Sequence, residues 1–149
     1  MPVDKSRYPA NWKKISQHIK DRAGNRCEQC GVANGAYIMR SRIDGARYVV
    51  LDEATLGYCY PDGTLLRMSE IPEEYLSDKP DTRVVLTVHH IGIDGDSHDK
   101  MDCRDENLVA LCQRCHLIAD LPIHIANSRK TRLEKKRQQV IDAGQKELF

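Results

Sequence analysis

Four cysteines form two pairs whose spacing suits a metal ion. Two residues separate Cys27 from Cys30, and two residues separate Cys112 from Cys115. Each short gap lets both sulfurs of a pair turn toward one ion, so the two pairs can supply the four thiolates of a closed, structural zinc site. Unrelated buried thiols and a redox centre are the alternatives. The redox alternative is disfavoured because neither pair opens a helix after a strand in a βαβ pattern.

A second group of residues has the types needed for an open metal site with a base beside it. His89 and His90 are adjacent, and His116 and Asp120 are spaced to share one face of a predicted helix and bind one ion. A neutral imidazole can take a proton from water, and a cation with few protein ligands can bind a phosphate oxygen. These groups suit the hydrolysis of a phosphodiester. Solvated side chains are the alternative, and His98 is either an auxiliary ligand or part of a solvated loop.

A helix and a hairpin are predicted around the first cysteine pair. Apolar residues recur at helical spacing over residues 11–23. Asp44 and Gly45 form a strong turn pair between two apolar runs, so we expect residues 37–51 to form a β-hairpin. Residues 69–82 are acidic and contain two prolines, which predicts an irregular surface excursion or a short helix.

The second cysteine pair is expected at a junction between a strand and a helix. Residues 84–88 are rich in β-branched side chains, and residues 107–111 are a candidate second strand. A helix should begin near Cys112 and end before Pro122, because proline interrupts the hydrogen bonding of a helix. A further helix is predicted over residues 123–143.

The order of the histidines and one asparagine resembles the HNH endonucleases, whose core is a ββα-metal unit, a β-hairpin and a helix around one ion. The residues that carry the resemblance are His89, His90, Asn107 and His116. The stretch Asn-Leu-Val-Ala-Leu-Cys-Gln-Arg-Cys-His at residues 107–116 is similar to small phage and bacterial HNH proteins that carry a four-cysteine zinc. The match is specific because residue type, order and spacing agree together.

The resemblance implies a role for each residue. His90 would be the general base, and Asn107 would hydrogen-bond to the backbone of the loop that carries it. His116 and Asp120 would bind the catalytic ion together with His89, which takes a position filled by a metal ligand in many members. Because these ligands are mixed, Mg²⁺, Mn²⁺, Ni²⁺ or Zn²⁺ would suit the site. The implied reaction is hydrolysis of DNA to 5′-phosphate and 3′-hydroxyl ends.

Charge is distributed unevenly along a chain whose formal net charge is only +1. Residues 52–81 are acidic, whereas residues 129–137 carry six basic side chains against one glutamate. A basic face of this kind suits a polyanion, through phosphate contacts that do not depend on base sequence. A solvated surface is the alternative. The expected DNA contacts are Arg114, Arg129, Lys130, Arg132, Lys135, Lys136 and Arg137.

The last five residues resemble a short recognition motif. Residues 145–149 read Gln-Lys-Glu-Leu-Phe and are similar to the pentapeptide that binds the bacterial sliding clamp, which begins with glutamine and ends in Leu-Phe. Lys146 departs from the usual leucine. An apolar pair such as Leu148 and Phe149 can dock in a hydrophobic pocket. A tether to the clamp, starting at Gln145, and a frayed tail are the two interpretations.

These features predict an α+β protein with an HNH ββα-metal core, a structural four-cysteine zinc site, flanking helices and a β-hairpin insertion at residues 31–82. A chain of 149 residues suits one domain, here 1–149. Residues 1–20 lack the apolar segment of a secretory signal, and no stretch has the length of a membrane span. We therefore expect the cytoplasm of a bacterial or phage-infected cell.

The predicted function is that of a metal-dependent HNH endonuclease acting on DNA. Two alternatives stay open: a non-catalytic zinc-stabilised module that binds nucleic acid, and a scaffold or packaging accessory tethered through its tail. One ββα-metal site cuts one strand per event. Nicking, double-strand cleavage and the oligomeric state are therefore undecided by the sequence.

Overall fold

The computed structural model describes residues 5–76, 82–93 and 99–146 of the chain. The chain divides into two compact units, Met1–Cys115 and His116–Phe149. Within the described residues, all strands belong to the first unit, and the second consists of the greater part of one long helix. This mixture of helices and antiparallel strands confirms the predicted α+β class. The single domain over residues 1–149 stays a prediction.

Helix α1 spans Trp12–Arg22 and confirms the first predicted helix. Ile19 is its fully buried residue, and the helix packs against strands of the first unit. Asn11 occupies the N-cap position, although its side chain makes no capping hydrogen bond. Gly24 follows the helix with a φ of +61°, the left-handed conformation that commonly ends helices and that glycine adopts without strain.

The segment predicted as an insertion forms an antiparallel sheet of five strands. The expected hairpin is confirmed, because β1 (Tyr37–Arg40) pairs with β2 (Tyr48–Asp52). The remaining strands of this sheet are β3 (Gly57–Cys59), β4 (Leu65–Leu66) and β5 (Thr82–Arg83). The strand order is β4-β3-β2-β1-β5, so the insertion is larger than a single hairpin.

The segment that follows β4 contributes to the core of the first unit. Ile71 and Tyr75 are only 6% and 2% exposed, and they form a buried cluster with Val49 of β2. Of the two predicted alternatives, the short helix is present as a 3-10 turn over Glu73–Tyr75, and the irregular surface excursion is wrong at Ile71 and Tyr75, which are buried. Burial of their apolar surface outweighs the acidic composition of the segment around them.

The second sheet is an antiparallel pair made of β6 (Leu86–His90) and β7 (Leu108–Cys112). Both strands were predicted, and their ends are slightly shifted. His89 and His90 both lie within β6, so their side chains leave the strand on opposite faces. Strand β7 ends at the first cysteine of the second pair.

Helix α2 spans Gln113–Lys146 and contains Pro122 in its interior. The predicted break at Pro122 is therefore wrong, and the helix expected at residues 123–143 is part of α2. Proline removes one N–H and leaves the carbonyl of Ile118 without its helical donor. Ile118 and Leu121 are exposed, so water can hydrogen-bond to that carbonyl and the helix continues. No described helix, α2 included, is long and apolar enough to cross a membrane.

Candidate metal centre and histidine site

The four predicted cysteine ligands come together in the first unit. One sulfur from each of Cys27, Cys30, Cys112 and Cys115 lies within 4.8 Å of the others. The sulfurs of Cys30 and Cys112 are 3.7 Å apart, and all four cysteines are free. A disulfide would bring two sulfurs to about 2.0 Å, whereas ligands at about 2.3 Å from a tetrahedral zinc lie about 3.8 Å apart. The cluster can hold a metal ion such as zinc.

Backbone hydrogen bonds give the first cysteine pair the tight turn that a metal site needs. The N–H of Gly31 donates to the carbonyl of Cys27 at 2.8 Å, and the N–H of Cys27 donates to the carbonyl of Val32 at 2.9 Å. Gly31 has a φ of +73°, which a residue with a side chain adopts only with strain. The left-handed backbone conformation at residue 31 therefore explains why a glycine follows Cys30.

Glu28 ties the first cysteine pair to the strand that leads to the second pair. Its N–H donates to the carbonyl of Ala110 on β7 at 2.9 Å, and its Oε1 accepts the N–H of Ala110 at 2.9 Å. Arg22 of α1 also donates to Glu28 Oε1 at 3.2 Å and to the carbonyl of Leu108 at 2.7 Å. These contacts hold α1, the cysteine turn and β7 in one arrangement.

The cysteine thiols have strongly different acidities. Burial raises the pKa of Cys27, but hydrogen bonds with the backbone of Cys112, Cys30 and Gln29 more than offset it and bring the pKa to about 7. Burial and the neighbouring thiols raise the pKa of Cys115. The neighbouring thiols therefore oppose the ionisation of Cys115. A bound cation removes this repulsion, because zinc binds the thiolate form.

His90 lies in an aromatic environment built by the N-terminal segment. Its ring stacks on Trp12, with centroids 5.3 Å apart and planes inclined by 20°, and Tyr8 lies 6.2 Å away. His90 is 1% exposed, and its Nε2 is buried with no hydrogen-bond partner in the described structure. Burial lowers the pKa of His90, and the charge of Lys100 lowers it further. The imidazole is therefore neutral near pH 7.

Asn107 is fully buried and hydrogen-bonds both ends of the segment that follows His90. Its Oδ1 accepts the N–H groups of Gly92 at 2.9 Å and Ile93 at 3.1 Å. Its Nδ2 donates to the carbonyl of Asp102 at 2.9 Å. These bonds hold the backbone immediately after β6. A contribution of Asn107 to catalysis stays a prediction.

The residues predicted as catalytic ligands are placed on two elements. His89 lies on β6, opposite Val109 of β7. His116 and Asp120 lie on α2, where Nε2 of His116 and Oδ2 of Asp120 are 3.3 Å apart and both side chains are half-buried. The expected shared helix face is therefore present. The role of these three residues as ligands stays a prediction, and His98 lies outside the described residues.

The predicted DNA contacts fall into two groups. Arg114 lies against the turn of the first hairpin, since a Cβ placed on Gly45 would be 3.3 Å from its Nε. The six basic residues between 129 and 137 are all exposed on α2. Residues 147–149 of the tail motif lie outside the described residues, so the clamp interaction stays a prediction.

Arg40 contacts the cysteine cluster, and the sequence carries no sign of this contact. Its Nη2 donates to the sulfur of Cys112 at 3.6 Å. No local spacing signals this contact, because it depends on how the hairpin packs against the second cysteine pair.

No protein-family model, no curated protein and no solved structure matches the chain. The resemblance to HNH endonucleases therefore rests on the residues themselves.

Proposed function

We propose that the chain is a metal-dependent HNH endonuclease that hydrolyses phosphodiester bonds in DNA, with His90 as the general base. The observation that carries this proposal is the buried, unpartnered Nε2 of His90. An unsatisfied buried polar atom costs about 1–3 kcal/mol, and a catalytic role is one of the few reasons for a fold to retain one.

The protonation state of His90 supports this role. Because its pKa is lowered by burial, the ring is neutral and offers a lone pair. A general base must be unprotonated before it takes a proton from the attacking water. A hydrogen bond with the backbone of Lys100 and the stacked indole of Trp12 orient the ring. Water would have to reach the buried Nε2 before its proton could pass to this nitrogen.

The rigidity of the backbone beside His90 is a second support. Asn107 fixes Gly92 and Ile93, which follow the histidine in sequence. A catalytic group must be held close to its productive geometry, because small displacements cost large factors in rate. Asn107 would therefore act as a positioning residue.

The catalytic ion would be held by His116 and Asp120, with His89 as a third ligand, and both histidine rings of β6 can face that ion only where a bend at the end of the strand turns them to the same side. The imidazole–carboxylate pair on α2 has the donor atoms and the 3.3 Å separation that suit one divalent ion. Such an ion supplies electrostatic stabilisation of the charge that develops on phosphate and leaving oxygens. Zinc in the four-cysteine cluster would be structural. Arg114 and the basic residues of α2 would bind DNA phosphates.

A second candidate function is a non-catalytic zinc-stabilised module that binds nucleic acid. The observation that favours it is the burial of His90, whose ring packs on Trp12 as a core side chain does. This module would keep the four cysteines and the basic helix but would not need an accessible imidazole nitrogen.

A supercoiled plasmid separates the two functions. We would incubate it with protein that keeps zinc in the four-cysteine cluster and has been dialysed free of other divalent ions, and then add Mg²⁺, Mn²⁺, Ni²⁺ or Zn²⁺ in turn. Nicking or linearisation that requires an added ion supports the endonuclease. Retarded plasmid migration without cleavage under all four ions supports the module and contradicts the enzyme.

A further inference from the structure

Arg40 links the first hairpin to the four-cysteine cluster. It is the last residue of β1, and its Nη2 donates to the sulfur of Cys112 at 3.6 Å. Cys112 is fully buried, whereas Arg40 is half-buried. A cationic donor thus lies against the buried sulfur of Cys112.

The contact between Arg40 and Cys112 would offset negative charge in the metal-loaded four-cysteine cluster. Four thiolates around one Zn²⁺ carry a net charge of about −2, which is costly in a partly buried position. The guanidinium of Arg40 is a cationic group that donates a hydrogen bond to one of these sulfurs. Charge-assisted hydrogen bonds of this kind are stronger than neutral ones.

We propose that Arg40 retains the metal in the four-cysteine cluster by donating a charge-assisted hydrogen bond to the Cys112 thiolate. This inference rests on the zinc part of the proposed function and does not depend on DNA cleavage. The hydrogen bond withdraws charge from the sulfur. The thiolate is then a weaker nucleophile, and the guanidinium charge offsets part of the negative charge of the loaded cluster, so the metal is released less often.

The hairpin holds the Arg40 guanidinium in place. Nη1 donates to the carbonyl of Gly45 at 3.1 Å, and the guanidinium carbon lies 5.6 Å from the ring centroid of Tyr48, the cross-strand neighbour of Arg40. A planar guanidinium can make both contacts and still donate to sulfur, whereas a lysine ammonium cannot reproduce the fork. The contacts with Gly45 and Tyr48 therefore fix the guanidinium without help from the sulfur.

The same hairpin contacts both cysteine pairs. The hydroxyl of Tyr48 donates to the carbonyl of Cys30 at 3.3 Å, while Arg40 reaches Cys112. Arg114, inside the second pair, lies against Gly45. The inserted hairpin therefore covers the cluster as well as extending the sheet, and Arg40 is its direct contact with a ligand atom.

The test measures zinc release from the full chain. Wild type, Arg40→Met and Arg40→Lys are purified, their zinc content is determined, and an excess of a chromogenic chelator is added. Arg42→Gln is the matched control, because Arg42 lies next to the same strand and donates to the carbonyl of Glu73 instead of a sulfur.

Loss of contacts around a metal ligand costs about 10–100-fold in metal affinity. We expect Arg40→Met to release zinc at least about 10-fold faster than wild type, Arg40→Lys to fall between them, and Arg42→Gln to match wild type.

A second readout follows the thiolates directly. Alkylation of Cys112 by iodoacetamide, located by peptide mass spectrometry, should be faster in Arg40→Met than in wild type or Arg42→Gln. Arg40→Lys keeps the inference testable if Arg40→Met does not fold. Unchanged zinc release and unchanged alkylation in a folded Arg40 variant would overturn the role of Arg40. A wild type that purifies without zinc and takes up none would overturn the zinc site itself, so the two failures are distinguishable.

Discussion

The ring of His90 lies almost parallel to the indole of Trp12, at a centroid distance of 5.3 Å. The first residue of α1 thereby contacts the last residue of β6, and the N-terminal segment forms one wall of the histidine site. Sequence spacing gave no sign of this pair, because the two residues meet only through tertiary packing.

Truncating Trp12 should destabilise the first unit. Trp12→Ala removes the stacked partner of His90 and the contact with Tyr8, whose ring lies 4.9 Å from the indole. Because Trp12 is only partly buried, we expect the free energy of unfolding to fall by about 2 kcal/mol, with a smaller loss for Trp12→Phe. Urea denaturation, monitored by circular dichroism, measures the free energy of unfolding of both variants. Equal stability of Trp12→Ala and wild type would show that the stacking does not support the fold.

Removing one cysteine ligand should release the structural metal. Cys27→Ser breaks a four-sulfur site whose members lie within 4.8 Å of one another. We expect zinc to be lost and the melting temperature to drop by about 10 °C, which corresponds to roughly 4 kcal/mol for a chain of this size. Cys59→Ser is the matched control, because Cys59 lies on β3 outside the cluster. The structural site would be refuted by a Cys27→Ser protein with unchanged zinc content and melting temperature.

Asn107 should support both stability and the backbone after His90. Asn107→Ala leaves the N–H groups of Gly92 and Ile93 and the carbonyl of Asp102 without their side-chain partner. We expect a loss of about 2–4 kcal/mol in the free energy of unfolding and faster hydrogen exchange at Gly92 and Ile93. Asn127→Ala, at an exposed position of α2, is the control and should change neither quantity. Unaltered hydrogen exchange at Gly92 and Ile93 in Asn107→Ala would contradict the positioning role of Asn107.

The basic residues of α2 should set the salt dependence of DNA binding. A triple variant, Lys135→Gln, Lys136→Gln and Arg137→Gln, removes three exposed positive charges. If all three contact phosphates, the slope of log affinity against log salt should decrease by about 3. Fluorescence anisotropy with a labelled duplex at several salt concentrations gives this slope. The control is Lys13→Gln with Lys14→Gln on α1, and an identical slope in triple variant and wild type would remove α2 from the DNA interface.

Local features of the sequence predicted the parts of the fold that depend on short-range rules. Helix α1 follows from apolar spacing, the first hairpin from Asp44 and Gly45, and the shared face of His116 and Asp120 from their helical spacing. The cysteine cluster was predictable because metal binding imposes residue type and spacing directly.

The remaining features depend on contacts between distant segments. Ile71 and Tyr75 are buried because the five-stranded sheet offers an apolar face, which composition does not reveal. Helix α2 continues through Pro122 because its surroundings are exposed to water. The contact of Arg40 with Cys112 likewise requires a folded hairpin against the second cysteine pair.

Cleavage of a supercoiled plasmid by His90 variants tests the central claim most directly. His90→Ala and the bulkier His90→Gln remove the proposed base, and His18→Ala on α1 is the matched histidine control. Zinc content and the melting temperature of each variant establish that the protein is folded. General-base catalysis contributes about 10²–10⁴-fold. We expect folded, zinc-loaded His90 variants to cleave at least about 100-fold more slowly than wild type, while His18→Ala cleaves at the wild-type rate. Cleavage at the wild-type rate by either folded His90 variant would contradict the assignment of His90 as the general base.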